Sequence, residues 1–223
     1  MMTNLFSIFD PTTSLMSLKL NWIISMISLL LIPVSFWTLN NRHQLLWMSL
    51  TKKLNKEFKT LLNNNKSTTL MFMSMFSLIM INNLLGLFPH LFTSTSHLSM
   101  TMTMALPIWL SLMLYGWMNK SNHMFTHLVP NGTPPVLMPF MVCIETISNI
   151  MRPGTLSVRL SANMIAGHLI MTLLGNTLVN MNINLLWMMI LVQMLLLTLE
   201  TAVAFIQAYV FAVLTVLYSS EVN

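Results

Sequence analysis

The sequence predicts an all-α polytopic membrane protein, and three observations predict it. First, 55% of the 223 residues are hydrophobic and only 7% are charged, where a soluble domain carries about 25% charged residues. Second, several apolar stretches reach or exceed the roughly 20 residues that a membrane helix needs. Third, six of the ten basic residues fall between Arg42 and Lys66, beside the first apolar stretch. That is the pattern of topology and lipid headgroup contact rather than of nucleic-acid binding. The single cysteine, Cys143, excludes an intrachain disulfide and a cysteine metal cluster. The opening MMTNLFSIFD has no basic n-region, so no cleavable signal peptide is expected.

The expected organisation is one membrane domain over residues 1–223, with about five spans and one interfacial helix. Span one covers 20–39, with Pro33 a kink. In 42–66 the apolar residues Trp47, Leu50, Leu54, Phe58 and Leu61 recur at helical spacing, with Lys52, Lys53, Lys56 and Lys59 opposite. That predicts an amphipathic helix in the plane of the interface; the alternative is a helix packed on a partner. Span two covers 68–88 and ends in NNLLGLFPH, and span three covers 97–117. PNGTPP, residues 130–135, is a loop. The last two apolar stretches, 136–174 and 183–217, would be roughly 58 and 52 Å long as continuous helices. The hydrocarbon core is about 30 Å thick, so both must tilt steeply, kink or run along the membrane plane.

Five spans put the termini on opposite sides. The first and third loops hold seven Lys and Arg residues and the second and fourth hold none. By the positive-inside rule the N-terminus is outside and the C-terminus inside.

Within this apolar frame, LSVRLSANMIAGHLI places Arg159 and His168 in a run made for lipid. An arginine near the bilayer centre costs about 2.5–3.5 kcal/mol on insertion scales, and it does not escape by losing its proton. Glu145, Arg152 and Arg159 are seven apart and stay within about 40° of one another on a helix; Asn163 shares their stripe. Pro153 bends the helix and loosens the alignment, and His168 faces elsewhere. Gln193, Glu200 and Gln207 are also seven apart, with Tyr218 on the same face. Two long apolar helices thus each carry a polar stripe. One reading is a buried salt-bridge network that holds the helices together. The other is an ion or proton pathway, in which Glu and His exchange protons and Arg159 is a fixed counter-charge.

His123 and His127 have metal-pair spacing but no nearby third ligand, and His90 and His97 flank an outer loop. No metal and no cofactor are expected, and no Walker-type glycine loop is present.

NNLLGLFPH, IETISNIMRPGTLSVRLSANMIAGHLI and ETAVAFIQAYVFAVL resemble the corresponding segments of the a subunits (subunit 6) of mitochondrial F-type ATP synthases. The likeness covers essentially the whole chain, and the Met-, Leu- and Asn-rich composition is similar to an invertebrate mitochondrial product. The resemblance implies a non-catalytic, proton-conducting stator of the mitochondrial inner membrane. It implies partners too: a ring of rotor c subunits, each with one membrane carboxylate, the other stator and membrane subunits, and anionic headgroups at the 42–66 helix. The two long tilted helices would wrap the ring. Arg159, in VRLSAN, matches the family's essential arginine. Glu145, Asn163, His168, Glu200 and Gln207 match positions lining two aqueous half-channels. Bacterial relatives tend to carry a carboxylate where His168 stands and a histidine where Glu200 stands, which implies a shared environment. Arg152, Gln193 and Tyr218 are secondary candidates. From the residues alone, the alternative is a proton-coupled secondary transporter, which predicts pseudo-repeats and broken helices.

Overall fold

The computed structural model describes residues 6, 9–12, 18–33, 39–62, 66–88, 91–129, 134, 136–178 and 183–222. Among them are seven α-helices: α1 (Ile23–Leu31), α2 (Arg42–Leu61), α3 (Lys66–Gly86), α4 (Leu98–Asn119), α5 (Ser121–Leu128), α6 (Met138–Leu178) and α7 (Ile183–Val222). Short 3-10 turns occupy Leu20–Trp22 and Ser94–Ser96. His90, most of the 130–135 loop and the 34–38 part of span one lie outside the described residues.

The first apolar helix stops at Leu31, well before the expected end at residue 39. Ile32 is already extended, with φ −65° and ψ 119°, because a residue preceding proline is driven out of the helical region. Leu20–Leu31 therefore covers only about 20 Å at ordinary helical rises. α2 starts where Asn41 and Gln44 form a capping box, with Gln44 Oε1 accepting the Asn41 N–H at 3.0 Å. It ends at Leu61, short of the expected 66. Its buried face is rotated from the expected one: Phe58 and Leu62 are buried, with Trp47 and Leu54 against the core, while Leu50 and Leu61 stay exposed. That face packs on α3 and α7, and Tyr209 Oη donates to Glu57 Oε2 at 3.4 Å.

Among the described residues four helices are long and apolar enough to cross a membrane: Thr68–Gly86 within α3, α4, α6, and Leu186–Glu221 within α7. α4 and α6 run on through Pro107 and Pro153. Ser and Thr hydroxyls mostly bond back to their own helix, as Ser77 does to Ser74 O at 2.8 Å and Thr198 to Leu195 O at 2.8 Å. This leaves few hydroxyls unsatisfied in an apolar medium.

The core forms where α7 packs against α3 and where α6 packs against α4 and α7. On α7, Ala204, Ala208 and Ala212 are four apart and buried, alongside Phe211 and Val216. α3 answers with Phe72, Phe76, Ile79 and Met80. Small side chains let helices approach closely where lipid supplies no hydrophobic drive. At 41 and 40 residues, α6 and α7 are each about 60 Å long. Much of α7's first half, including Trp187, Met188, Leu191, Leu195 and Leu199, remains exposed.

Candidate functional site

α6 buries Pro153, Leu156, Ser157, Leu160, Ser161 and Met164, spaced by three and four as one helical face requires. Arg159 and Asn163 project from the exposed side. The chain has five acidic residues, and each is placed away from Arg159. Asp10 accepts the Thr12 N–H at 3.0 Å. Glu57 accepts from Tyr209. Glu145 and Glu221 both pair with Arg152. Glu200 lies against Gly167. Among the described residues Arg159 makes no ion pair.

One turn further along α6, Asn163 Nδ2 donates to Gln207 Oε1 at 3.0 Å. Gln207 is buried on α7, so the two polar stripes meet at this point. Gln193, half-buried on the same α7 stripe, joins neither of the clusters described next.

Toward the start of α6 and the end of α7, a second cluster surrounds a cavity of about 410 Å³. Arg152 lies 3.9 Å from Glu145, as the seven-residue spacing predicts, and its Nη1 donates to Glu221 Oε2. Its guanidinium stacks 4.9 Å from the Tyr218 ring centroid, a cation–π contact. Trp109 also lines the cavity, and its buried indole N–H has no protein partner. The ion-pair network that the sequence allows is thus built on Arg152, the cation ranked below the others, and not on Arg159.

The third cluster gathers around His168 and Glu200. Glu200 approaches α6 at Gly167, next to His168; a Cβ at Gly167 would lie 2.8 Å from Glu200 Cδ. Gly86, at the end of α3, is the polar backbone neighbour of the His168 ring. The Phe9 ring meets that ring edge-on, with centroids 6.1 Å apart. Among the described residues His168 Nε2 is buried without a hydrogen-bond partner, as are Asn82 Nδ2, Asn83 Oδ1 and Thr95 Oγ1 on the neighbouring α3 and the 94–96 turn. Asn83 Nδ2 reaches the Ala204 carbonyl only at 3.5 Å. Buried polar atoms left unpaired by protein call for water.

Along α6, Arg159 stands about 21 Å beyond Glu145 and about 14 Å before His168, at 1.5 Å per residue. The arrangement is therefore two polar clusters with a lone fixed cation between them. Glu221, Gly167 and Asn83 belong to it and escaped the sequence reading. Among the described residues no three His, Cys, Asp or Glu side chains form a metal site.

The sequence model of the family described as ATP synthase A chain matches residues 18–220. ATP synthase subunit a of Anopheles quadrimaculatus is 64% identical over 226 residues, with 100% of both chains covered. The subunit of that name from Anopheles gambiae is 63% identical and that from Drosophila melanogaster 59%, again with both chains covered completely. A family match over nearly the whole length and insect relatives of this identity, on an all-α multi-pass architecture, show that the chain belongs to the ATP synthase subunit a family.

Proposed function

We propose that this chain is the proton-conducting, non-catalytic stator of the membrane sector of ATP synthase, in the mitochondrial inner membrane. The ATP-forming sites are on other subunits. The observation that carries this reading is Arg159: a permanent cation on the exposed face of an apolar helix, with no ion pair among the described residues. Its partner is a carboxylate on another chain, and a ring of rotor subunits with one membrane carboxylate each supplies such groups in succession.

The cluster of His168 and Glu200 is the outer half-channel. A proton passes through it to a rotor carboxylate, and the neutralised site then faces lipid at low cost. After nearly a full turn the site meets the second cluster and releases the proton past Glu145 and Glu221 to the inside. Arg159, with Asn163 and Gln207 beside it, stands between the two. Its charge draws the carboxylate into its ionised form and raises the energy of any proton that would cross directly. Each proton delivers about 2.3 kcal/mol per 100 mV of membrane potential, and that energy turns the ring. A secondary transporter would use broken helices around a midplane substrate site; α6 and α7 are continuous over 41 and 40 residues, which favours the stator.

The assignment of sides follows the loop charges and counts the short first helix as a fifth span: N-terminus in the intermembrane space, C-terminus in the matrix. In a Cys143→Ser background, cysteines introduced at Asn4 and Ser220 should react with impermeant maleimide from opposite faces of sealed vesicles. Reaction of both from one face overturns the orientation.

Glu200→Gln and His168→Gln test the pathway. Each should slow ATP-driven proton pumping by about tenfold to a hundredfold, at or below the low end of what a positioned proton-transfer group contributes. Pumping at the wild-type rate in both variants removes these residues from the path.

A further inference from the structure

We infer that residues Phe9–Thr12 form a lid over His168, latched in place by His97. The inference rests on the stator reading only for what the lid controls; the lid itself stands on geometry. This segment is not part of a long helix, so its carbonyls need partners from elsewhere. Two successive ones have them. His97, in its Nε2–H tautomer, donates to the Phe9 carbonyl at 2.9 Å. Asn21 Nδ2 donates to the Asp10 carbonyl at 3.3 Å. The Asp10 carboxylate then accepts the Thr12 N–H at 3.0 Å and closes a tight turn.

The latch is itself held. The His97 ring packs 5.3 Å from Trp22 and 5.2 Å from Phe92, which lie 5.5 Å from each other. Trp22 belongs to the turn that opens the first apolar helix, and His97 caps the start of α4. Anchored at both carbonyls, the segment sets the Phe9 ring edge-on against His168, 6.1 Å between centroids and 80° between planes. That geometry is the favourable T-shaped one. The Gly86 backbone is a hydrogen-bonding neighbour of the His168 ring. His168 Nε2 beneath the segment is buried, with no hydrogen-bond partner among the described residues. Asp10 is fully exposed beside the lid; the Thr12 amide, and after it the Thr12 hydroxyl, hold its carboxyl below the ordinary value. An anion therefore sits on the outer surface of the lid. Water-borne protons reach His168 by passing this segment, which makes His97 a positioning residue for proton entry.

The test is carbethoxylation of His168 by diethyl pyrocarbonate in the intact complex in its native membrane, read by peptide mass spectrometry. His97→Leu and Phe9→Ala should each raise the labelling rate about fivefold, the factor by which losing one ordinary contact shifts an open–closed equilibrium. His97→Gln, whose amide still donates to the Phe9 carbonyl, should label at the wild-type rate. Equal labelling in the wild type, His97→Leu and Phe9→Ala overturns the lid. Labelling in His97→Gln as fast as in His97→Leu overturns the latch. Proton pumping by His168→Gln is scored separately: wild-type pumping there removes the proton-path reading while the labelling result still decides the lid.

Discussion

Arg159→Gln should abolish ATP synthesis in a complex that still assembles. A desolvated ion pair that loses one partner costs about 3–5 kcal/mol, which at about 1.4 kcal/mol per tenfold corresponds to a loss of two to three orders of magnitude or more. On the stator reading, two separable functions are lost together. The rotor carboxylate no longer finds a cation, so it stays protonated and transmits no torque. The barrier between the two clusters also falls, so passive proton leak through the membrane sector should rise. Arg159→Lys keeps a charge, but loses the planar fork and releases its proton when desolvated. It too should fail in synthesis, with less leak than Arg159→Gln. If Arg159 only held the helices together, activity would fall in proportion to the amount of assembled complex. The structure gives little support for that role, since Arg159 lies on the exposed face and Arg152 carries the intrachain pairs. Synthesis, leak and assembled complex are measured in the same membranes. Normal synthesis by a fully assembled Arg159→Gln complex would sink the central reading.

Gly167→Ala should leave the fold intact and cut proton pumping about a hundredfold. Alanine is favoured over glycine in a helix by about 1 kcal/mol, so the helix itself gains. The added Cβ would overlap Glu200, falling 2.9 Å from its Cγ and 2.8 Å from its Cδ. The end of a glutamate is flexible, so it swings away rather than breaking the helix pair. A displacement of about 1 Å in a reacting group can cost about 10²-fold in rate. Gly175→Ala is the matched control on the same helix, because a Cβ there meets nothing within 4 Å; it should pump at the wild-type rate. If Gly167→Ala pumps as well as Gly175→Ala, the placement of Glu200 does not matter to proton transfer.

The parts of the site legible in the sequence were those set by helical period. Glu145 and Arg152, seven apart, do meet at 3.9 Å. Asn163 and Gln207, read on separate stripes, meet at 3.0 Å, because two polar stripes on packed apolar helices have each other as the nearest partner. What period does not encode stayed hidden. Glu221 lies 69 residues from Arg152, beyond the apolar stretch that defined the last span. Gly167 reads as a weak helix residue until the partner helix is in place. The buried face of α2 was misread by about one residue, with Leu62 inside and Leu61 outside, since lysine stems leave an amphipathic boundary broad. α1 was overextended because hydropathy runs on while the helix already breaks at Ile32, ahead of Pro33. α5 was missed because eight residues show too few turns for a period to register. The contact of Phe9 with His168 spans most of the chain and left no local trace.

The lone cation on α6 also has a consequence for biogenesis. On the stator reading, the chain carries an uncompensated charge in lipid before its partners arrive, a penalty of about 2.5–3.5 kcal/mol. That penalty is relieved only on docking. By linkage, whatever destabilises the orphan subunit tightens its association with the surface that supplies the carboxylate. About 3 kcal/mol is a factor of more than one hundred in an equilibrium constant. On the stator reading, the residue that acts in the finished motor would double as a stability checkpoint. If so, unassembled copies should be degraded faster than assembled ones, which a pulse-chase of the chain with and without its partners would read.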